Sequence, residues 1–252
     1  MAEHLFILTG ASRGMGLSMA RQLLSPGHRL LCLSRKPNAD LARAAEQAGV
    51  PLLAWSQDLG DTLGASERLR AWLQTQAPGV FASATLINNA GVIPRIGPLS
   101  RADPADLAQA LRVGLEAPML LTSAFLGATE PWGVPRKVLN ISSGLGRRAM
   151  ASQAGYCAAK AGMDHFSRCV ALDEALKPQG AKICSLAPGV IDTDMQVQLR
   201  SAPAQDFPDQ SGFVQLQQQG LLTSCEEAAA RVLAYLRRED FGQQSVADVR
   251  EG

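Results

Sequence analysis

The feature that most constrains the fold is a repeated alternation between short apolar runs and longer segments with helical periodicity. Residues 5–9 form one such run, and between about residues 14 and 24 the apolar side chains recur with helical spacing. The same unit then recurs along the chain. The later predicted strands are 29–34, 52–55, 84–88, 138–142 and 181–186, and the later predicted helices lie near 40–48, 62–75, 104–128, 155–176 and 225–238.

This alternation predicts how the strands pair. Parallel strands need long crossover connections, and right-handed crossovers place helices on both faces of one sheet. We therefore predict a Rossmann-type, doubly wound α/β fold with a mostly parallel, seven-stranded sheet. A length of 252 residues suits one core of this kind, so we predict a single domain over 1–252.

Composition and charge exclude several classes of protein. Hydrophobic residues make up 46% of the chain, which is typical of an ordered domain, and the net charge of +1 provides no field for nucleic acid or an anionic membrane. The five cysteines are scattered and lack CxxC spacing, so neither a disulfide framework nor a metal site is expected. The N-terminus lacks a signal peptide, and no apolar run approaches the roughly 20 residues of a membrane span, so we expect a cytoplasmic protein.

The regular alternation stops between Val190 and Leu222, where a polar stretch rich in Gln, Ser, Asp and Pro precedes the last helix. Long connections in compact domains are functional lids or inserts without function. Ligands bind at the carboxyl ends of strands in this architecture, and the stretch follows such an end. We therefore predict a substrate lid over about 190–222, with a surface insertion as the alternative.

The turn after the first strand carries three glycines with the spacing Gly-x3-Gly-x-Gly. Glycines let the backbone turn sharply and approach a pyrophosphate, whose charge then meets the N-terminus of the first helix. A structural turn alone would need only one of the three. The residues predicted to bind a dinucleotide here are Gly10, Ser12, Arg13, Gly14, Met15 and Gly16.

The end of the second strand indicates which dinucleotide binds. An NAD site usually has an acidic residue there for the ribose 2′-hydroxyl, but this chain has Ser34 and Arg35. Arg35 and Arg13 can clamp a 2′-phosphate, and Ser34 can add a hydrogen bond. We therefore predict NADPH as the cofactor, while two solvated surface arginines remain the alternative.

Two further strand ends supply candidate cofactor contacts. Asp58 and Leu59 follow the third strand, where they can meet the adenine, although an aspartate in front of a helix is equally a cap. Asn89, Ala90 and Gly91 end the fourth strand, where small residues suit a backbone that lies close to the cofactor. Asparagines at a strand end are also ordinary turn residues.

Ser143, Tyr156 and Lys160 form the predicted catalytic group. Ser143 ends a strand at the carboxyl edge, and Tyr156 and Lys160 share a helix face because they are four residues apart. Hydride transfer to a carbonyl carbon leaves charge on oxygen, which must receive a proton or hydrogen bonds. Lys160 is expected to lower the pKa of Tyr156, which acts as the acid, while Ser143 orients the substrate oxygen.

Five ordered motifs together resemble the short-chain dehydrogenase/reductase family over essentially the whole chain. They are Thr9-Gly10-x3-Gly14-x-Gly16, Asn88-Asn89-Ala90-Gly91, Asn140-Ile141-Ser142-Ser143, Tyr156-x3-Lys160 and Pro188-Gly189. Within the family, the segments around Tyr156 and after Ala187 look most like sepiapterin reductases and the bacterial benzil reductases. The segments Ala117-Pro118-Met119 and Gln198-Leu199-Arg200-Ser201 strengthen the likeness to the benzil reductases.

This resemblance implies a homodimer that uses NADPH to reduce a 1,2-dicarbonyl or an α-hydroxyketone side chain. It also implies cofactor contacts at Tyr156, Lys160, Pro188, Gly189, Val190, Thr193 and Met195. Substrate contacts are implied at Ser143, Tyr156, Gly189 and Met195.

The chain departs from the family pattern at one position and leaves a second position open. An asparagine that supports the lysine in the family is replaced here by Gly114, and the acidic residue that anchors pterins has Asp248 and Glu251 as its nearest counterparts. Three hypotheses therefore stand. They are a diketone reductase, a reductase of sepiapterin or another pterin, and an NADPH-binding regulatory protein with weakened catalysis.

Overall fold

A computed structural model describes residues 2–77 and 79–251; the ends of the predicted domain, Met1 and Gly252, lie outside them. One seven-stranded sheet runs through the molecule in the order β3-β2-β1-β4-β5-β6-β7, and every pair of neighbouring strands is parallel. The order reverses between β1 and β4, which is the switch point where doubly wound sheets bind ligands. The predicted fold is therefore confirmed.

The strands and helices follow the predicted series closely. The strands are β1 Glu3–Thr9, β2 His28–Ser34, β3 Leu52–Ser56, β4 Phe81–Asn88, β5 Arg136–Ile141, β6 Lys182–Ala187 and β7 Val246–Asp248. The helices are α1 Gly14–Gln22, α2 Ala39–Gln47, α3 Thr62–Gln74, α4 Pro104–Leu111, α5 Ala117–Thr129, α6 Ala154–Ala175, α7 Asp194–Ser201, α8 Gln210–Gln218 and α9 Cys225–Arg237.

Each face of the sheet buries its own apolar cluster. Side chains of α1, α2 and α9 pack against one face, and those of α3 and α5 pack against the other. Side-chain caps fix where the helices begin: Asn38, Asp61, Asp103 and Ser224 each accept a hydrogen bond from a backbone N–H in the first turn of the helix that follows. No helix of the described residues is long and apolar enough to cross a membrane.

The structure adds three features that the sequence pattern did not locate. The pattern placed six strands, and the seventh is β7, a strand of only three residues. The segment after β6, expected to be irregular, contains α7 and α8. The single stretch predicted over 104–128 is divided by a π-helical turn at Arg112–Glu116, which contains Gly114.

The last strand brings the end of the chain beside the end of β6. Ala187 pairs with Asp248, and the N–H of Val249 donates to the carbonyl of Ala187 at 3.0 Å. A Cβ built on Gly189 would lie 4.0 Å from a methyl group of Val249. Residues 246–249 therefore form one wall of the region that follows β6.

Candidate active site

The glycine loop is tightly packed at its two outer glycines, Gly10 and Gly16, and open at the middle one, since a Cβ on Gly16 would overlap the carbonyl group of Gly10. Gly10 has a φ of +74°, and a Cβ there would lie 2.9 Å from the amide nitrogen of Asn89. Gly14 has a φ of +57°, and a Cβ there would meet no atom within 4 Å. The loop therefore needs glycine for close packing at Gly10, while Gly14 leaves the open approach that a pyrophosphate requires.

The end of β4 is bonded to the end of β1 behind this loop. The hydroxyl of Thr9 accepts hydrogen bonds from the backbone N–H groups of Asn89 and Ala90, both at 3.0 Å. The side-chain amide of Asn89 donates to the carbonyl of Thr9 at 3.0 Å. Asn89, a predicted cofactor contact, thus supports the shape of the glycine loop with its side chain.

The residues predicted to bind a 2′-phosphate lie at the end of β2. Ser34 is buried there and Arg35 is exposed, and no carboxylate of the described residues forms an ion pair with Arg35. Asn38 joins this loop to the glycine loop, since its amide donates to the carbonyl of Ser12 at 3.1 Å while its oxygen caps α2. The guanidinium of Arg35 is therefore available at the rim of the nucleotide end.

Arg13 contacts a different part of the molecule. Its guanidinium lies 2.7 Å from the carboxylate of Asp194 on α7, and both side chains are well exposed. To share one phosphate with Arg35, Arg13 would have to leave Asp194. An exposed pair of this kind contributes about 0–1 kcal/mol, so the exchange is cheap.

At the end of β3, Asp58 is not the cap of α3. Its carboxylate accepts from the N–H of Gly60 at 2.9 Å, which forms a local turn, whereas Asp61 caps the helix through Gly64 at 3.1 Å. The interpretation of Asp58 as a helix cap was therefore wrong, because the chain makes one more turn before the helix starts. Leu59 is buried beside it in the core on that face.

Ser143, Tyr156 and Lys160 meet where β5 ends. Ser143 follows β5 and accepts from the N–H of Leu145 at 3.2 Å, and its hydroxyl hydrogen-bonds Tyr156. The ammonium of Lys160 donates to the carbonyl of Ile141 at 2.7 Å and lies 5.7 Å from the centroid of the Tyr156 ring. A Cβ on Gly91 would lie 3.9 Å from that ammonium, which places the end of β4 beside the lysine.

Burial dominates the protonation of this group. It raises the pKa of Tyr156 to about 12, against the opposing effect of the Ser143 hydrogen bond. It lowers the pKa of Lys160 to about 8, against the attraction of Asp164. The prediction that Lys160 lowers the pKa of Tyr156 is therefore wrong for this structure: burial raises that pKa, only Ser143 opposes the rise, and the phenol is held in its protonated form.

Gly114 lies in the π-helical turn that packs against α6. A Cβ at this position would lie 3.2 Å from the Cβ of Ala159, the residue before Lys160. A larger residue here would have to displace α6 by a few tenths of an ångström. The glycine therefore permits close approach of the π-helical turn to the helix that carries Tyr156 and Lys160, and such turns occur often at functional sites.

The segment after β6 carries the remaining predicted contacts. Gly189 has a φ of +88°, and at the base of the segment Val190 accepts from the N–H of Thr223 at 2.9 Å. Thr193 precedes α7, and Met195 packs beside a small apolar cluster. The buried members of that cluster are Ile96, Leu199 and Phe207.

The two acidic candidates near the C-terminus differ in environment. Asp248 is buried and accepts three hydrogen bonds from Arg250, at 3.0, 2.8 and 2.6 Å. Its pKa is lowered chiefly by the hydrogen bond from the Arg250 side chain, so it remains a charged partner of that arginine. Glu251 is exposed.

Sequence reasoning missed the polar residues that support the site from behind. Asn88 donates to Asn140 at 2.8 Å and to Thr122 at 3.1 Å, and Asn140 donates to Ser167 at 2.9 Å. Asn38 and Thr9 join neighbouring loops in the same way. Asn88, Asn140 and Thr9 stand within the quoted motifs, and polar residues in otherwise apolar strands indicate buried hydrogen bonding, but neither signal identifies the partner.

A glycine loop of the kind that binds dinucleotides and a cluster of Ser143, Tyr156 and Lys160 therefore lie at the carboxyl edge of one doubly wound sheet. Together these features define a dinucleotide-dependent oxidoreductase. Comparison with protein families agrees, since the model for short chain dehydrogenases matches residues 4–204. The chain belongs to this family of oxidoreductases. Its resemblance to the short-chain dehydrogenase/reductases is thereby confirmed.

Individual relatives match over nearly the full length. A benzil reductase ((S)-benzoin forming) of Bacillus cereus is 35% identical over 245 residues, covering 97% of this chain and 98% of the relative. A sepiapterin reductase of Meriones unguiculatus is 32% identical and covers 93% and 92%. The crystal structure of a short-chain dehydrogenase/reductase from Burkholderia vietnamiensis is 33% identical, with a TM-score of 0.65 and coverage of 98% and 97%.

Proposed function

We propose that this protein is an NADPH-dependent carbonyl reductase that converts a 1,2-diketone, or a similar aromatic carbonyl, to the hydroxyketone. The observation that carries the proposal is the meeting of Ser143, Tyr156 and Lys160 at the end of β5. The benzil reductases among the relatives support the diketone as the substrate class. A homodimer in the cytoplasm is the proposed form, as the resemblance implies.

Bound NADPH would supply the hydride, and the protein's own residues would control the carbonyl oxygen. Ser143 donates a hydrogen bond that orients this oxygen, and Tyr156 gives it a proton as negative charge develops there. A phenol with a pKa of about 12 retains its proton across neutral pH and is a weak acid in water. The nearby ammonium of Lys160 stabilises the phenolate that remains after transfer.

The described residues fit a dinucleotide along four neighbouring strand ends. Gly10 to Gly16 would hold the pyrophosphate against the N-terminus of α1, and Gly14 leaves the space for it. Arg35 and Ser34 would receive the 2′-phosphate, with Arg13 as a second cation. Lys160 and the small residues Ala90 and Gly91 would lie along the nicotinamide half.

The segment over about 190–222 is the proposed substrate lid. Phe207 is fully buried and stacks on Phe213, with 5.6 Å between the ring centroids. Together with Leu199 and with Ile96 from the loop after β4, these side chains form a buried apolar cluster that packs the proposed lid against that loop. A pterin is disfavoured because the buried carboxylate of Asp248 is already bound by Arg250.

The test of this function is the oxidation of NADPH, followed at 340 nm, with benzil, other vicinal diketones and sepiapterin under one set of conditions. We expect turnover with the diketones and a higher kcat/KM for benzil than for sepiapterin. A higher value for sepiapterin would transfer the proposal to the pterin reductases. Tight NADPH binding without turnover of any carbonyl would support the regulatory alternative.

The choice of cofactor can be tested separately at Arg35. Replacing Arg35 with alanine should raise the KM for NADPH roughly 10- to 100-fold, because a charge-assisted hydrogen bond is worth about 1.5–3 kcal/mol. The KM for NADH should hardly change. The matched control is Arg43→Ala on the neighbouring helix α2, where the arginine pairs with Asp40. Equal effects of Arg35→Ala on both cofactors would contradict the assignment.

A further inference from the structure

One buried carboxylate beside the candidate site has no role in the function proposed above. Asp164 lies on α6 one turn beyond Lys160 and is 1% exposed. One of its oxygens accepts hydrogen bonds from the hydroxyls of Ser142 at 2.5 Å and Ser185 at 2.7 Å. Burying a charge costs free energy unless the charge is paired and hydrogen-bonded, and these two hydrogen bonds offset part of that cost.

The second oxygen of Asp164 faces the loop that follows Ser143. The Nε of Arg147 lies 3.4 Å from this oxygen, and Arg147 also donates to the carbonyl of Ala247 at 3.0 Å. A Cβ on Gly146 would lie only 2.8 Å from the same oxygen. The carboxylate thus holds the loop after β5 closely against α6.

The contacts of α6 with β5 are ordered along both elements. Lys160 donates to the carbonyl of Ile141 at 2.7 Å, and Asp164, one turn later, accepts from Ser142. Ser143 is the next residue along the chain. Two consecutive residues of the strand end are therefore bonded to two consecutive turns of the helix, which fixes where Ser143 stands relative to Tyr156.

We propose that Asp164 is a positioning residue for carbonyl reduction: its carboxylate fixes the strand end that carries Ser143 onto α6 and balances the charge of the Lys160 ammonium. This inference rests on the proposed function, since it assigns Asp164 a role at that site. Asp164 touches neither the substrate nor the reacting atoms. It acts through Ser142, Arg147 and Lys160.

The charges around Lys160 determine in which direction each substitution should shift the pKa of this lysine. Burial lowers the pKa of Lys160 to about 8, and the negative charge of Asp164 opposes that lowering. Arg147 faces the same carboxylate from the loop after β5, and its positive charge partly offsets the effect of the Asp164 charge on Lys160. The other titratable groups nearby are Tyr156 on α6, Cys184 on β6, Tyr235 of α9 behind Cys184, and Asp248 of β7 behind Arg147.

The decisive experiment compares the pH dependence of kcat/KM for diketone reduction in the wild type, Asp164→Asn and Arg147→Gln. Reduction requires Lys160 to be protonated, so activity falls as the pH rises through the lysine pKa. Asparagine retains the shape of the side chain and an oxygen for the two serines but removes the charge. The alkaline limb of Asp164→Asn should therefore move by about one unit to lower pH, a tenfold loss of relative rate on that limb.

Arg147→Gln should move the alkaline limb in the opposite direction, to higher pH, because the charge of Asp164 that acts on Lys160 is then no longer offset by the guanidinium. A purely structural role for Asp164 would lower the rate equally at every pH. The matched control is Asp173→Asn, which removes an exposed carboxylate from the same helix and should leave the profile unchanged. Superimposable profiles for the wild type and Asp164→Asn would overturn the proposal.

A second measurement separates this proposal from the proposed function. The titration of the Lys160 side chain, followed by NMR of 13C-labelled lysine in the NADPH-bound protein, requires no substrate. A lower lysine pKa in Asp164→Asn and a higher one in Arg147→Gln support the role of Asp164 even if no diketone is reduced. An unchanged lysine pKa in both variants refutes that role even if diketones are good substrates.

Discussion

Replacing Tyr156 with phenylalanine should lower the kcat for diketone reduction by a factor of about 10²–10⁴, the usual contribution of a general acid. Phenylalanine retains the buried ring and removes only the hydroxyl that Ser143 contacts. The rate falls because the carbonyl oxygen then receives negative charge without a positioned proton. The measurement is steady-state NADPH oxidation, together with NADPH binding followed by fluorescence.

The chain offers a matched control for this change, since it contains only one other tyrosine. Tyr235 lies on α9, and its hydroxyl hydrogen-bonds Cys184 on β6. Tyr235→Phe removes the same atom from a position outside the Ser143, Tyr156 and Lys160 group, so its kcat should stay at the wild-type value. NADPH should still bind to both variants, and Tyr235→Phe should bind it as tightly as the wild type. Undiminished turnover by Tyr156→Phe would remove the tyrosine from the mechanism.

The second large effect is expected at the amino-terminal ends of the strands, opposite the candidate active site. Replacing Arg136 with leucine should reduce the free energy of unfolding by about 1–3 kcal/mol, because the change removes one of the two cations that pair with the buried carboxylate of Glu174 and leaves the carbonyl of Gln179 without its donor. Arg136 begins β5 and lies 3.6 Å from Glu174 near the end of α6, and both side chains are 3% exposed. Arg136 also donates to the carbonyl of Gln179 at 2.9 Å. Urea denaturation at neutral pH measures the loss.

The pH dependence of this loss follows from the carboxylate. Burial favours its neutral form, but hydrogen bonds from Lys177 and the N–H of Ala181, with the charges of Lys177 and Arg136, lower the pKa of Glu174 below its usual value. The stability that the ionised group contributes is present at neutral pH and is lost as the pH falls through its folded pKa. The difference between Arg136→Leu and the wild type should therefore shrink in acid.

Arg231→Leu is the control for this second change. Arg231 pairs with Glu227 one turn away on α9, and both side chains are about half exposed. Its loss should cost only about 0.3–0.5 kcal/mol, as for exposed helical pairs. Equal costs for the two leucine variants would show that burial of the Arg136 pair adds nothing.

Sequence patterns were sufficient for the sheet and for the glycine loop because their signals are local. An apolar run such as 5–9, followed by closely spaced glycines, specifies a strand, a turn and a helix start without reference to the rest of the chain. The three-residue strand β7 has no such signal, since it is too short to show a period. Its pairing with β6 depends on tertiary structure.

The candidate site shows the same division between local and tertiary information. The four-residue spacing of Tyr156 and Lys160 on one helix face was readable, whereas the pKa of the tyrosine depends on burial by distant segments. Arg13 was expected at a phosphate, and its pairing with Asp194 joins residues that are far apart in sequence. Asp164 gave no sequence pattern, because its partners come from β6 and from the loop between β5 and α6.

The pairing of β7 with β6 has a practical consequence for anyone who attaches a label or a carrier to this protein. Because Val249 bonds to Ala187, the C-terminal strand ends close to Gly189 and the proposed substrate lid, so a label fused behind it is attached near them. The start of β1 lies at the other end of the parallel strands, on the far side from the reacting groups. Affinity tags and surface tethers therefore belong in front of Glu3, where they leave the entrance to the site free.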